Sequence, residues 1–227
     1  MQEAFRPWAV LAVKSPRRAK TRLDHKLSPE ARRELAGHMF QRVLSACTGC
    51  VGLAGTLVAT DGDDIGAMSL RRGASVLRDS ASAARGLSGV IDAALADVVA
   101  RGATHALVLM ADLPRVEPRD VSELIAILRS HDMLVVPDMR RCGTGALGMK
   151  LDLGMHACFG HADSLMRHVR EGRRVGARCR VIHNPRIAMD IDTFDDLSKL
   201  QSVAGCGPWL SESTGYGPHL LPHGAMR

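Results

Sequence analysis

Short apolar runs alternate with helix-period stretches from residue 8 to residue 136, and few architectures accept that rhythm. Trp8-Ala-Val-Leu-Ala-Val13, Thr56-Leu-Val-Ala-Thr60, Ala74-Ser-Val-Leu77, His105-Ala-Leu-Val-Leu-Met110 and Met133-Leu-Val-Val136 read as strands. Runs this apolar, without polar alternation, belong to strands covered on both faces. Between them lie helical stretches. Ser28 stands as an N-cap before Pro29 and Glu30, with Leu35, Met39, Val43 and Leu44 at helical spacing. Further helices are expected at 67–72, 89–101 and 118–130. Strand and helix in alternation imply right-handed crossovers, hence an α/β, three-layer fold with a mostly parallel sheet flanked by helices. Ligands of such sheets bind beyond the carboxyl ends of the strands. Lys14, Asp61 and Asp112 each follow a predicted strand and therefore share one rim.

The second half is less regular. Gly143-Thr-Gly-Ala-Leu-Gly148 reads as a glycine-rich turn leading into Met149-Lys-Leu151. A helix is expected over 162–171, strands over 180–183 and 187–191, and a last helix from Asp195. Residues 1–203 read as a single domain. Residues 204–227, rich in Gly, Pro and Ser and without periodicity, read as a flexible tail.

The formal net charge is +6, with basic clusters at 17–22 and 170–180. That balance suits nucleic acid, an acidic surface or small anionic substrates. Aromatic residues make up 3% of the chain, too few for the stacking platforms that hold single-stranded nucleic acid. No apolar run reaches the roughly 20 residues of a membrane span. The N-terminus lacks the basic region and cleavage site of a signal peptide, so a cytoplasmic location is expected. Among six cysteines, Cys47-Thr-Gly-Cys50 has C-x-x-C spacing without a second such pair, and reads as a structural thiol pair rather than half a zinc site.

Met189-Asp-Ile-Asp-Thr-Phe-Asp-Asp-Leu197 concentrates four carboxylates in a stretch that otherwise looks buried. On a strand, residues two apart share a face, so Asp190 and Asp192 project side by side and repel unless a cation lies between them. Asp112 joins them at the same rim. Magnesium takes such carboxylates and completes its shell with substrate phosphates. The plain alternative is that Asp112 caps a turn and Asp195 a helix. The basic segment Lys14–Leu23 faces that rim and can neutralise a triphosphate, or can simply be a solvated loop. It is not a G-x-x-x-x-G-K-[ST] phosphate loop, and none occurs in the chain. Phe159-Gly-His-Ala-Asp-Ser164 precedes a helix whose N-terminus favours an anion, with Asp163 or Ser164 as a plain N-cap as the alternative. The histidines are scattered, in keeping with structural or surface roles, and no G-x-S-x-G elbow occurs.

Taken together and in order, AVKSPRRAKTRL, LSPEARRELA, LVLMADLPRVEPRDV, the GTG turn, FGHADSLMRHV and MDIDTFDDL resemble the 2-phospho-L-lactate guanylyltransferase family of coenzyme F-420 biosynthesis, over about residues 8 to 200. That family includes phosphoenolpyruvate and 3-phospho-D-glycerate guanylyltransferases. The resemblance implies a nucleotide-diphospho-sugar transferase (glycosyltransferase-A-like) fold. It implies attack of a three-carbon phosphorylated acid on the α-phosphorus of GTP, with release of pyrophosphate, and magnesium as cofactor. It makes Asp112, Asp190 and Asp192 the metal ligands, with Lys20 beside them as candidate catalytic residues. Lys14, Lys20 and Arg22 fall near the triphosphate, Gly86 and Ser88 near the nucleotide, and Thr144, Gly160 and Ser164 at the acceptor's phosphate or carboxylate. Expected partners are GTP and a small phosphorylated acid, with neither nucleic acid nor membrane; a homodimer is left open.

Three departures concern the pockets rather than the metal ligands. Gly86-Leu-Ser88 stands where the family has G-L-N, the GTGTNAL motif lacks its second Thr and its Asn, and the FGPGS loop is one residue longer. They leave the reaction class standing and the acceptor open. Rivals of the same fold are molybdenum-cofactor and sugar-phosphate nucleotidyltransferases, whose glycine-rich loop after the first strand is replaced here by Ser15-Pro-Arg-Arg-Ala19. A non-catalytic nucleotide-binding module is a further alternative, against which the intact aspartate set argues.

Overall fold

A computed structural model describes residues 4–14, 20, 23–78 and 86–202. The elements in order are β1 (Pro7–Val13), α1 (Pro29–Thr48), β2 (Gly55–Thr60), α2 (Asp63–Arg71), β3 (Ser75–Leu77), α3 (Gly86–Ala100), β4 (His105–Leu109), α4 (Pro118–Leu128), β5 (Met133–Pro137), β6 (Thr144–Lys150), α5 (Ser164–Arg174), β7 (Cys179–Val181) and α6 (Phe194–Ser202). The strands form one sheet in the order β3-β2-β1-β4-β6-β5-β7. All pairings are parallel except those of β6, which runs antiparallel to both β4 and β5.

Successive strand residues divide between two cores, as the pleat requires. Ala9, Leu11, Leu107 and Leu109 pack with Phe40, Val43 and Leu44 of α1 and Val121, Leu124 and Ile125 of α4. Val10, Ala106 and Val108 pack on the other face with Ile91, Ala94 and Val98 of α3. A third cluster joins Leu23, Leu27, Leu35 and Met39 to Met189, Ile191, Leu197 and Leu200, and so fastens the late aspartate segment to the start of α1. That helix begins as its sequence dictates: Pro29 sits at the first position and Ser28 Oγ accepts from Ala31 N at 3.2 Å.

The structure corrects four expectations. Gly143–Gly148 is not a turn; Thr144–Lys150 is a central strand. Its glycines permit close approach instead of chain reversal: a Cβ at Gly148 would lie 2.7 Å from Leu134, and one at Gly145 would lie 2.5 Å from the Ile187 carbonyl oxygen. Residues 187–191 form no strand, because they add no rung to the sheet. Their alternation survives, with Met189 and Ile191 buried and Asp190 and Asp192 on the opposite side. The helix expected over 67–72 starts earlier, at Asp63, so Asp63 and Asp64 lie in the first turn of α2, where they favour its dipole. The first turn of α3 starts at Gly86, so Gly86-Leu-Ser88 is helical. Arg22 and the expected tail, 204–227, lie outside the described residues.

Candidate active site

Asp112 follows β4 at the carboxyl rim of the parallel strands. The β4–β6 register pairs Leu109 with Ala146, and Met110 N donates to the Gly145 carbonyl at 3.0 Å, so Thr144 arrives beside the Ala111–Asp112 step. The antiparallel strand thus brings its first residue to the rim where the parallel strands end. Gly145 lets the backbone at Ile187 cross close over β6, which carries the following aspartates to the same place.

The crossing segment is fixed from beneath. Asp120, fully buried in the first turn of α4, accepts from Arg186 Nη2 (2.6 Å), from Asn184 Nδ2 (2.8 Å) and from its own helix entry at Glu117 N (2.9 Å). Asn184 Oδ1 in turn accepts from the amides of Arg186 and Ile187. A carboxylate with this many donors is satisfied despite burial, and the donors hold its pKa below the ordinary range although burial pulls the other way. Downstream, Asp196 accepts from the amides of Asp192 (3.2 Å) and Thr193 (2.8 Å) and from the Thr193 hydroxyl (2.7 Å). Asp196 N returns a bond to Thr193 Oγ1. This reciprocal pair opens α6 and clamps the backbone of Asp192.

Between these anchors sits a cluster of carboxylates. Lys20 Nζ lies 2.6 Å from Asp112 Oδ2 and 3.0 Å from Asp192 Oδ1, largely buried. Burial works to lower the Lys20 pKa, and the two carboxylates outweigh it, so the ammonium is held charged. Asp190 is pushed up to about 6 by burial and by the charges of Asp112 and Asp192. The second oxygen of Asp112, Oδ1, is buried without a hydrogen-bond partner. Asp112 therefore does not cap a turn; it is aimed, and one of its oxygens is left over. Three carboxylates, one of them with an orphaned oxygen, form an all-oxygen donor set that fits a hard divalent cation. Among the described residues, no three metal-ligating side chains close to metal-holding geometry, and Lys20 stands between two of them instead. A cleft of about 190 Å³ opens on the cluster, lined by Asp138, Met139, Arg140, Asp190, Asp192, Asp196 and Lys199.

A second cluster, largely neutral, adjoins the first. Thr144 Oγ1 is 3.0 Å from His168 Nδ1 and 3.2 Å from Ser164 Oγ, and Cys158 N donates to His168 Nε2 at 2.8 Å. All three side chains are buried. Gly160, at φ +82°, turns the intervening loop in a conformation that favours glycine, and it lies next to Leu87. Ser88 Oγ donates to the Phe159 carbonyl at 2.8 Å, so this hydroxyl ties α3 to the loop before α5. Two of the amides at the start of α5 are already engaged, Ser164 N on His161 O and Leu165 N on Cys142 O. An anion at this corner thus depends on hydroxyls and loop amides more than on the helix terminus.

The sequence-derived residues thus gather in two adjoining sets: Lys20, Asp112, Asp190 and Asp192 in one, and Thr144 with Ser164 in the other. Lys14 stands exposed just beyond β1 on the same rim. Sequence reasoning missed Arg140 and Lys199, two cations of the cleft wall, and His168. One signal pointed to His168: it stands four residues after Ser164, one helical turn along the same face. The C-x-x-C pair is a buried, free thiol pair; burial pushes the Cys47 thiol up, and Cys50 Sγ contacts Ser122 Oγ at 3.3 Å. No helix among the described residues is long and apolar enough to cross a membrane.

Known proteins resemble the chain over most of its length. A phosphoenolpyruvate guanylyltransferase of Rubrobacter xylanophilus is 34% identical over 199 residues, covering 87% of this chain and 95% of that one. A 3-phospho-D-glycerate guanylyltransferase of Phenylobacterium zucineum is 30% identical over 193 residues, covering 83% and 86%. A solved structure from Desulfovibrio desulfuricans G20, described as a nucleotide-diphospho-sugar transferase, superposes with a TM-score of 0.69 at 20% identity over 86% of this chain and 85% of its own; at that identity it supports the fold alone. The family model described as "Guanylyl transferase CofC like" matches residues 8–205. The chain belongs to this family of guanylyl transferases and is a nucleotidyltransferase.

Proposed function

We propose that the enzyme transfers GMP from GTP to phosphoenolpyruvate, or to 3-phospho-D-glycerate or 2-phospho-L-lactate in its place, within coenzyme F-420 biosynthesis. The relatives' names support the nucleotide and the class of acceptor. The observation that carries the chemistry is the convergence of Asp112, Asp190 and Asp192 on one rim, with Asp112 Oδ1 left unpartnered in the protein. In this reading a phosphate oxygen of the acid attacks the α-phosphorus of GTP. The bond from that phosphorus to the bridging oxygen breaks, and pyrophosphate leaves. The acceptor arrives as an anion, so the reaction needs no strong general base, and no unspent imidazole is required at the site. Asp112, Asp190 and Asp192 would hold magnesium, which when bound supplies Lewis-acid charge stabilisation to the phosphates. Lys20 holds a fixed positive charge against two of these carboxylates and adds to that stabilisation. Thr144, Gly160 and Ser164 hold the acceptor's anionic end.

The direct test is pyrophosphate release from GTP and magnesium with each of the three acids, coupled to formation of the guanosine diphosphate-linked product. Phosphoenolpyruvate is expected to give the highest kcat/KM. ATP outperforming GTP with every acid would overturn the guanylyl assignment.

A further inference from the structure

We propose that His168 is a positioning residue that sets the Thr144–Ser164 hydroxyl pair so that one O–H of the pair is presented to the acceptor's anionic group. Cys158 N–H donates to His168 Nε2, so that nitrogen carries no proton, and the neutral ring must carry it on Nδ1. Nδ1–H then donates to Thr144 Oγ1. Ser164 O–H also donates to Thr144 Oγ1, which consumes the Ser164 proton and leaves that of Thr144. The other proton points away from both the imidazole and the partner hydroxyl. Thr144 opens β6 beside Asp112, so the spare donor lies at the rim where the acid has to meet GTP.

His168 suits this task because it cannot easily do anything else. It is 1% exposed, its ring meets Phe159 edge-on at 4.7 Å, and burial lowers its pKa to about 4. The ring therefore stays neutral, with a single N–H of fixed direction. It does not touch substrate; it determines which way two hydroxyls face. The spare O–H also discriminates: it donates to an anion's oxygen, while Thr144 Oγ1 already accepts from the imidazole and from Ser164 and so has little left to offer a cation, which keeps the carboxylate cluster next door and the acceptor corner from competing for the same ligand.

This inference rests on the acceptor reading above, and its test separates the two. In 15N-histidine spectra of the full chain at pH 7, His168 should be neutral and protonated on Nδ1; an Nε2-protonated or cationic ring would overturn the proposal without reference to activity. Kinetically, His168→Asn keeps an amide donor near the Nδ1 position, whereas His168→Leu removes it. The Leu variant should raise KM for phosphoenolpyruvate at least about tenfold, the loss of one hydrogen bond to a charged group, with KM for GTP changed less than threefold. The Asn variant should recover most of that loss. Equal rises in both KM values, or no rescue by Asn in a variant that melts like the wild type, would reduce His168 to a packing residue. If the wild type turned over none of the acids, the acceptor reading would fail instead, and the tautomer would still decide what His168 does.

Discussion

Two clusters lie side by side at the rim of the sheet, and they solve the problem of buried polarity in opposite ways. Around Asp112, Asp190 and Asp192, charge is left incompletely compensated: one ammonium serves two carboxylates, the third carboxyl is pushed up to about 6, and one buried oxygen has no partner. Around Thr144, Ser164 and His168 every protein-facing donor and acceptor is assigned, and the groups are neutral. An under-satisfied anionic cluster is costly for the isolated protein and cheap once a cation arrives. A satisfied neutral network is rigid beforehand and offers direction rather than charge. In the proposed reading, the contrast would let one site prepare separately for the metal–triphosphate side and for the acid side of a transfer.

The most severe way to break the contrast is to remove charge from the first cluster. Asp112→Asn keeps the shape but deletes the negative charge that Lys20 meets at 2.6 Å. Turnover is expected to fall by roughly 10²- to 10³-fold, the scale of losing several kcal/mol of charge stabilisation in a transition state. KM for the acid should move little, because Thr144 and Ser164 are untouched. Steady-state kinetics with both substrates varied checks this, and thermal melting verifies that the fold survives. Near-normal turnover would remove Asp112 from the chemistry.

How much of this was legible beforehand depended on what each signal measures. Continuous apolar runs such as His105–Met110 and Trp8–Val13 marked buried parallel strands because nothing else in a polar chain needs them, and their ends located Asp112 and Lys14 on the rim. The β6 strand was misread because glycine signals two things, reversal and close approach, and only the packing of Leu134 and the Ile187 carbonyl tells them apart. Residues 187–191 were misread as a strand because alternation reports burial of one side, here against Leu35 and Met39, and not ladder pairing. Even so, the pairing of Asp190 with Asp192 on one side came through, since it depends on the alternation alone. Arg140 and Lys199, two cations on separate elements, carry no local pattern, and His168 offered only its helical spacing from Ser164, which does not reveal that its ring meets Thr144.

Acid pH sharpens the comparison because the two clusters answer it with opposite signs. His168 binds a proton near pH 6.5 when unfolded and only near pH 4 in the fold, so between those values the unfolded chain holds more protons and stability falls as pH drops. The shift corresponds to about 3 kcal/mol across the window. Asp190 goes the other way. Its carboxyl titrates near 6 in the fold and 3.8 when unfolded, so between those values the fold holds more protons, and acidification stabilises. Urea denaturation at pH 6.5 and pH 4 should show the partial cancellation in the wild type. Asp190→Asn should lose more stability than the wild type over this interval, and His168→Leu less. Parallel behaviour of the two variants would mean that the clusters do not differ as described.

The smallest effect separates neighbours within Asp195-Asp196. Asp195 is exposed at the start of α6 and complements only the helix dipole, an effect of a few tenths of a kcal/mol. Asp196 accepts from Asp192 N, Thr193 N and Thr193 Oγ1, so it caps the helix and also fixes the backbone that carries a cluster aspartate. Asp196→Ala should cost about 1 kcal/mol, the worth of a capping interaction, and lower the melting temperature by about 2–4 °C. Because Asp192 then loses its anchor, turnover should also fall several-fold, with KM for the acid unchanged. Asp195→Ala should leave melting and turnover close to wild type. If the two variants behaved alike, the placement of Asp192 would owe nothing to its downstream clamp, and the under-satisfied cluster would be held by Lys20 and the Asp120–Arg186 pair alone.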